Sequence, residues 1–331
     1  MTSKTYKKLP FSGSCAIVAP AKKGTPLSIK KFSNFKSLTD EYGEESKDNP
    51  LVLTAKVLFL NKVSTVYCLP PSINSSPTKE NYFEAFKILK CTSGFYTIVC
   101  DSNDKMIISE LVKSINTGSD LPRLVFAPSK DNIKDSFDLA KEVGDKRLIL
   151  SYSKTFLPSS PEYISSSLTA AAFAAKVSSI QSPLKTIIGL KISGLSLYEE
   201  PDINLSTDIS NSGLSFLKYN NDKLKIYKLT SSEAIQLKSQ NKINRLLIHD
   251  IIFASIVNLI TKIKKSPGFN APSLYSLMSQ IILLLTCHKD NGLISDFSIP
   301  EIKIDSKINI SISLKPELLF DNENINIYLS I

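Results

Sequence analysis

The chain closes on Ile302-Lys-Ile-Asp-Ser-Lys-Ile-Asn-Ile-Ser-Ile-Ser-Leu314 and, beyond Lys315-Pro316 and the turn-like Asp321-Asn322-Glu323-Asn324, on Ile325-Asn-Ile-Tyr-Leu-Ser-Ile331. Every second position from Ile302 to Leu314 is apolar except Ser306, the period of a strand with one buried face. The same period resumes at Ile325, Ile327, Leu329 and Ile331 and runs into the terminus. Chain ends fray and are polar unless something ties them. Burying four Ile and Leu side chains contributes about 6 to 12 kcal/mol as an upper bound, so this end is tied. Two arrangements do that: an edge strand in the chain's own sheet, or a strand laid along the backbone edge of a neighbour.

Moving toward the amino end, Asn291-Gly292 reads as a turn, and Ser273 as the cap of a helix that turns Leu274, Leu277, Met278, Ile281, Ile282 and Leu285 inward. A longer helix over Ile243 to Lys264 is apolar around most of its circumference, apart from a polar stripe of Asn258, Thr261, Lys262 and Lys265. Its apolar run Leu246 to Ile260 carries His249 and Asp250 and is too short to span a bilayer. Ahead of it, Gly213 to Leu217 and Leu224 to Leu229 around Asn220-Asn221-Asp222 form a β-hairpin, and residues 199 to 213 are polar and loop-like. The composition changes at about Ser196, which places a boundary between residues 198 and 199.

The first two hundred residues alternate strand and helix. Cys15 to Ala19, Thr65 to Cys68, Phe95 to Cys100, Arg123 to Phe126, Arg147 to Leu150 and Lys185 to Ile188 read as short buried strands. Between them, Ser33 caps a helix with Phe35, Leu38 and Tyr42 inward, and Asn49-Pro50 opens one over Leu51 to Leu60. Met106 to Ile115 and Ile133 to Ala140 are amphipathic, and Leu168 to Lys176 is a small-residue helix able to pack closely. Short apolar strands separated by amphipathic helices imply a mostly parallel sheet covered on both faces. The fold class is therefore α/β: a mostly parallel α/β core over residues 13–198, preceded by an arm at 1–12, then an α+β domain at 199–331 ending in an extended strand at 324–331.

Net charge is +9, and residues 1 to 39 hold eight lysines and no carboxylate, a run that could meet nucleic acid or an acidic surface, or simply be solvated. The cysteines at 15, 68, 91, 100 and 287 include no CxxC and read as reduced thiols. Met1 to Pro10 lacks an apolar signal core, and the whole fits a soluble protein made in a reducing compartment.

Chemistry is sparse. Two histidines, His249 and His288, have no carboxylate or cysteine at zinc-ligand spacing, and no phosphate loop or GxGxxG follows a strand. Asp101 and Asp104 lie just past the end of a strand, where ligands bind in open α/β sheets, and the ordinary role of such a residue is to cap the following helix. The expectation is no catalytic residue, no metal and no cofactor.

The order of elements resembles the tail sheath proteins of contractile phages and related contractile injection systems. It is carried by Ala16-Ile-Val-Ala-Pro-Ala-Lys-Lys-Gly24, Phe32-Ser-Asn-Phe35 to Tyr42-Gly43, Leu51 to Leu60, Val66-Tyr67, Ala140 to Leu150 and the Ala170 to Ala175 helix. Ile187-Ile-Gly-Leu190, Asn211 to Phe216, and Ile243-Asn-Arg-Leu-Leu247 through Gly268-Phe-Asn270 to Asn291-Gly-Leu-Ile294 continue it, so order and spacing agree over residues 15 to 331. The resemblance implies a structural subunit, a homo-oligomer of hexameric rings stacked helically around a tail tube protein, with baseplate and tail terminator proteins as further partners. It implies a virion tail, assembled in the bacterial host cytoplasm, that contracts to drive the tube through a target envelope and inject a genome, with no nucleic acid bound and no membrane insertion. Linking strands would come from Thr5, Tyr6 and Leu9 at one end and Ile325, Ile327, Leu329 and Ile331 at the other, the last segment being completed by a different copy. Lys262, Lys264 and Lys265 would face the tube or complement the helix end. The amino-terminal arm is shorter than in relatives of this kind, and their outer decorating domains are absent. Rival readings are a specialised end ring of the same fold, a cytosolic α/β enzyme with a pocket at Asp101, and a nucleic-acid binder acting through residues 1 to 39.

Overall fold

A computed structural model describes residues 12–73, 76–118, 121–180, 182–200, 213–233, 242–264, 274–304, 308–317 and 324–330. Two compact units emerge, one from residues 11–180 and 186–238, the other from 181–185 and 239–331. In chain order the first contains β1 (Ser14–Val18), β2 (Lys30–Phe32), α1 (Phe35–Tyr42), α2 (Pro50–Leu60), β3 (Thr65–Cys68), α3 (Lys79–Cys91), β4 (Thr97–Cys100) and α4 (Lys105–Gly118). It continues with β5 (Leu124–Pro128), α5 (Ile133–Val143), β6 (Leu148–Ser151), β7 (Thr155–Leu157), β8 (Ser160–Ser165), α6 (Ser166–Ser178), β9 (Ser196–Leu197), β10 (Leu214–Asn220) and β11 (Lys223–Lys228).

Eight of these strands make one sheet in the order β11-β10-β6-β5-β4-β1-β3-β2. Strands β1, β3, β4, β5, β6 and β10 run parallel, and β2 and β11 are antiparallel edges. Alternation along the strands sends Ala16, Val18, Ile98, Cys100, Val125, Ala127, Leu148 and Leu150 into a core shared with apolar side chains of α3, α4 and α5. Helix α6 lies against β4, β5, β6 and α2. Alanine and serine line nearly its whole length, which lets its backbone approach the sheet, and the hydroxyls find partners: Ser151 Oγ donates to the Ser166 carbonyl at 2.6 Å and Thr169 Oγ1 to that of Ser153 at 2.8 Å.

Several local expectations are corrected. The cap of α1 is Asn34, whose Oδ1 accepts from Ser37 N at 2.8 Å, rather than Ser33. Asn49 and Pro50 open α2 as expected, but the Asn49 side chain makes no cap bond: its Oδ1 accepts from Lys22 N at 3.3 Å and its Nδ2 donates to the Tyr42 and Glu44 carbonyls, both at 3.0 Å. Lys185 to Ile188 forms no strand; the chain finds backbone partners slightly later, where Gly189 N donates to Ile226 O at 2.7 Å and Ile192 N to Leu224 O at 2.8 Å, covering the edge of β11. The hairpin of β10 and β11 was expected in the second domain. Instead β10 pairs in parallel with β6, so the first unit continues to residue 238 and the boundary falls well beyond the change in composition.

The second unit holds α7 (Lys242–Lys264), α8 (Leu274–Asp290), β12 (Ile294–Phe297), β13 (Glu301–Ile304), β14 (Ile308–Pro316) and β15 (Ile325–Ser330). The stretch expected as one strand from Ile302 to Leu314 is two antiparallel strands, with Ile304 opposite Ile308. Between the two strands the sequence interrupts its apolar alternation at Ser306. The α7 stretch Ile243–Ile263 is longer than the apolar run expected and by length and composition would suffice to cross a membrane. Within this unit it carries the fully buried Asp250, 2.8 Å from His249 Nδ1, and packs on α8 and β15.

Candidate assembly interface

Strand β14 is the spine of the carboxyl-terminal sheet. Asn309, Ile310 and Ser311 pair with β13 on one edge and β15 on the other, and Leu314 likewise lies between β12 and β15. Strands β12 and β13 therefore share one edge of β14, and β15 takes the other. Rows of matched side chains cross the sheet: Ile302, Ile310 and Leu329 in one, Ile312 and Ile327 in the next, Leu314 and Ile325 in the third. All seven are buried. Successive residues of a strand face opposite sides, so Tyr328 points outward and is 72% exposed. It borders a groove of about 300 Å³ on the outward face, lined also by Glu301, Lys303, Asn309, Ser311 and Ser330.

In the single chain, then, Ile325, Ile327 and Leu329 are satisfied against their own β14, and the expectation of a strand left unfinished within its own molecule is not met. Among the described residues β15 pairs with β14 alone, which leaves its second edge as a row of backbone donors and acceptors. Thr5, Tyr6, Leu9 and Ile331 lie outside the described residues. Lys262 is exposed near the end of α7 beside exposed Asn258 and Thr261; Lys264 is the last residue of that helix, and Lys265 lies outside the described residues.

The two aspartates after β4 have different roles. Asp104 caps α4, its Oδ1 accepting from Met106 N at 2.8 Å and Ile107 N at 3.2 Å, which holds its carboxyl below the usual carboxylate range despite partial burial. Asp101 caps nothing. It accepts a 2.6 Å bond from the Tyr82 hydroxyl of α3, and burial pushes its carboxyl up to about 7, a rise that this bond only partly offsets. It lines a cleft of about 420 Å³ at the carboxyl ends of β4 and β5, together with Asn103, Ser129, Lys154, Ser166 and Tyr198. Helix α3 fills the gap between the strands at Thr65 and Phe95, with Tyr82, Ala85, Phe86 and Leu89 inward at helical spacing behind a capping box of Thr78 and Asn81; the bond from Tyr82 to Asp101 has no such signal in the sequence.

Other expected features fall on described residues. Cys15, Cys68 and Cys100 are buried free thiols on β1, β3 and β4, while Cys91 and Cys287 are exposed and also free. Of the amino-terminal lysines, Lys30 pairs with Glu41 at 2.7 Å and Lys31 lies over the Tyr67 ring. Among the described residues no group of three His, Cys, Asp or Glu side chains could hold a metal ion.

No protein-family model and no curated protein matches this sequence. Solved structures do. The chain is similar to the sheath tail protein of Desulfitobacterium hafniense, with a TM-score of 0.75 at 10% identity over 100% of this chain and 99% of that one. It is similar also to the sheath tail protein of Listeria innocua, with a TM-score of 0.76 at 12% identity over 98% and 95%. Against the helical sheath of the anti-feeding prophage in its contracted state the TM-score is 0.70, at 10% identity over 96% and 93%. The fold of this chain is the sheath fold, from its parallel α/β unit through the carboxyl-terminal sheet.

Proposed function

We propose that this chain is a structural subunit of a contractile tail sheath, belonging to the same family as those proteins. What supports the reading is the extent of the likeness: both units of the chain are matched, and so is nearly the whole of a sheath tail protein. The subunits assemble as hexameric rings stacked around a tail tube, between a baseplate and a tail terminator, in the bacterial host cytoplasm, and end up in the tail of a virion or a phage-like injection particle. On firing, rather rigid subunits rotate and move outward, and new contact area in the contracted lattice drives the tube through the target envelope, with no enzymatic step.

Rings so displaced stay connected through exchanged strands. The β15 of one copy takes the place of another copy's β15 on β14, keeping the Ile312–Ile327 and Leu314–Ile325 pairs, so the exchange creates no new interface and costs little beyond reordering the connection. Eight residues, 317–324, join β14 to β15, a reach of at most about 29 Å when extended. Thr5, Tyr6 and Leu9 of a third copy add to the open edge of β15. Lys262, Lys264 and Lys265 face acidic residues of the tube, each pair contributing about 0 to 1 kcal/mol, weak enough to release on firing.

Electron microscopy of the purified full chain, alone and with its tube protein, tests this reading. Stacked rings or hollow helical sheaths are expected. Discrete monomers under both conditions, at micromolar concentration and across a range of salt, would overturn it.

A further inference from the structure

The cleft beside Asp101 belongs to none of the assembly surfaces above. It opens at the carboxyl ends of the parallel strands, where the loops after β4 and β5 diverge and the start of α6 forms another wall. Open parallel sheets bind their ligands at this position, since loop backbone and helix ends converge there with no side chain filling the space. A volume of about 420 Å³ admits a small molecule or one long side chain.

The lining decides which charge fits. Among the described lining residues the one cation, Lys154, is held by Asp131, which also lines the cleft, with Nζ to Oδ1 at 2.9 Å. The first turn of α6 is capped from within the chain, Ser165 Oγ accepting from Ser167 N at 3.1 Å, so it does not call for an anion. Asp101 has a neutral partner, Tyr82, and takes part in no ion pair among the described residues. The groups electrostatically felt around it are Tyr82 from α3, Cys100 from β4 and Tyr163 from β8, all kept protonated by burial. The remaining lining offers hydroxyl and amide oxygens from Ser102, Asn103, Ser129 and Ser166, with the Tyr198 ring 60% exposed at the edge. One unmatched carboxylate among neutral acceptors and an aromatic ring is the composition of a site for a cation with several N–H donors.

We infer that this cleft binds an alkylammonium group, supplied either as a free small amine or as a lysine side chain of a second copy of the chain. The ammonium sits on Asp101, its remaining donors go to the surrounding oxygens, and its alkyl stem lies along Ile164 and Tyr198. Because burial holds Asp101 half-protonated near neutrality, binding expels its proton. Affinity therefore rises about tenfold per pH unit below 7 and levels off above it.

Titration calorimetry of the full chain with butylammonium at pH 6, 7 and 8, in two buffers of different ionisation enthalpy, tests the site. Binding that strengthens with pH, releases protons at pH 6 and weakens at least tenfold in Asp101→Asn is expected. The Asn variant is isosteric, and its circular dichroism and thermal midpoint verify that it folds. Absence of binding at pH 8, equal binding of butan-1-ol, or unchanged binding by folded Asp101→Asn would each overturn the inference. Sedimentation velocity separates the two sources. A smaller assembly of Asp101→Asn assigns the ligand to a neighbouring lysine, and unchanged assembly with lost butylammonium binding assigns it to a free amine.

Discussion

Ile312 on β14 stands directly opposite Ile327 on β15, with exposures of 2% and 0%. Under the proposed exchange of β15 the same pair forms between chains, so burial alone does not tell the closed subunit from the linked lattice. A covalent bond across the pair does. With the exposed Cys91 and Cys287 replaced by serine, cysteines at positions 312 and 327 are expected to oxidise within single chains in dilute protein. In assembled sheaths they are expected to give ladders of linked chains on non-reducing gels. Monomers alone from assembled sheaths would remove the exchange of β15.

The same strand separates inward from outward positions. Ile327→Ala is expected to cost about 2 to 5 kcal/mol in urea denaturation followed at the second unit, whereas Tyr328→Ala, at a 72% exposed neighbour, is expected to change stability by less than about 0.5 kcal/mol.

Arg123, only 6% exposed, places its guanidinium over the Phe95 ring and donates from Nη1 to the Leu89 carbonyl at 2.6 Å and from Nη2 to that of Thr92. Those carbonyls are at the end of α3, where acceptors outnumber donors; Leu89 O also accepts from Thr92 N at 3.1 Å. Arg123→Met removes the charged donor from both, leaving Leu89 O with only its bond from Thr92 N, and is expected to destabilise the first unit by about 1 to 3 kcal/mol. Arg123→Lys is expected to recover only part of that, since an ammonium lacks the fork that reaches two acceptors. Equal stability of all three proteins in guanidinium melts would contradict this role.

Below the ordinary aspartate pKa of 3.8, Asp101 is protonated folded or unfolded. Between 3.8 and about 7 the folded state holds a proton that the unfolded state has lost, so the Asp101 contribution to stability falls as pH rises through that window and is flat above it. Urea midpoints measured from pH 4 to 8 are expected to lose this slope in Asp101→Asn. In Tyr82→Phe, where the bond that lowers the pKa is gone, the slope is expected to extend to higher pH.

Gly213 enters β10 at φ +76°, and a Cβ there would lie 2.6 Å from the Ser232 carbonyl oxygen. Gly213→Ala is expected to cost about 2 to 4 kcal/mol by strain and crowding together. Gly189→Ala, at φ +84° with open space around it, is expected to cost about 1 to 2 kcal/mol from backbone strain alone, and differential scanning calorimetry ranks the two.

Burial pushes the Cys15 thiol up to about 12 and raises Cys68 and Cys100 well above the ordinary range. A soluble disulfide reagent at pH 8 is therefore expected to modify two thiols per native subunit, Cys91 and Cys287, and all five after denaturation.

Local pattern settled a great deal by itself. Alternation at Ile325, Ile327 and Leu329 fixes both the strand and its inward face, because the two-residue period is a property of the extended backbone. The alanines from Ala170 to Ala175 likewise fix a helix able to lie flush against a sheet, and the fold class follows from the succession of such elements. Pairing was decided elsewhere. Whether Leu214 would join β6 or begin a new domain, whether Ile304 would continue into Ile308 or turn back beside it, and which of Asp101 and Asp104 would cap α4 all depended on which backbone or side-chain partner lay within hydrogen-bonding distance. Those partners are distant in sequence or compete with near neighbours, and periodicity carries information about faces, not about what each face or edge meets. Burial of Asp101 beneath Tyr82, and with it the raised carboxyl that marks the cleft, exists only once α3 is packed on β4.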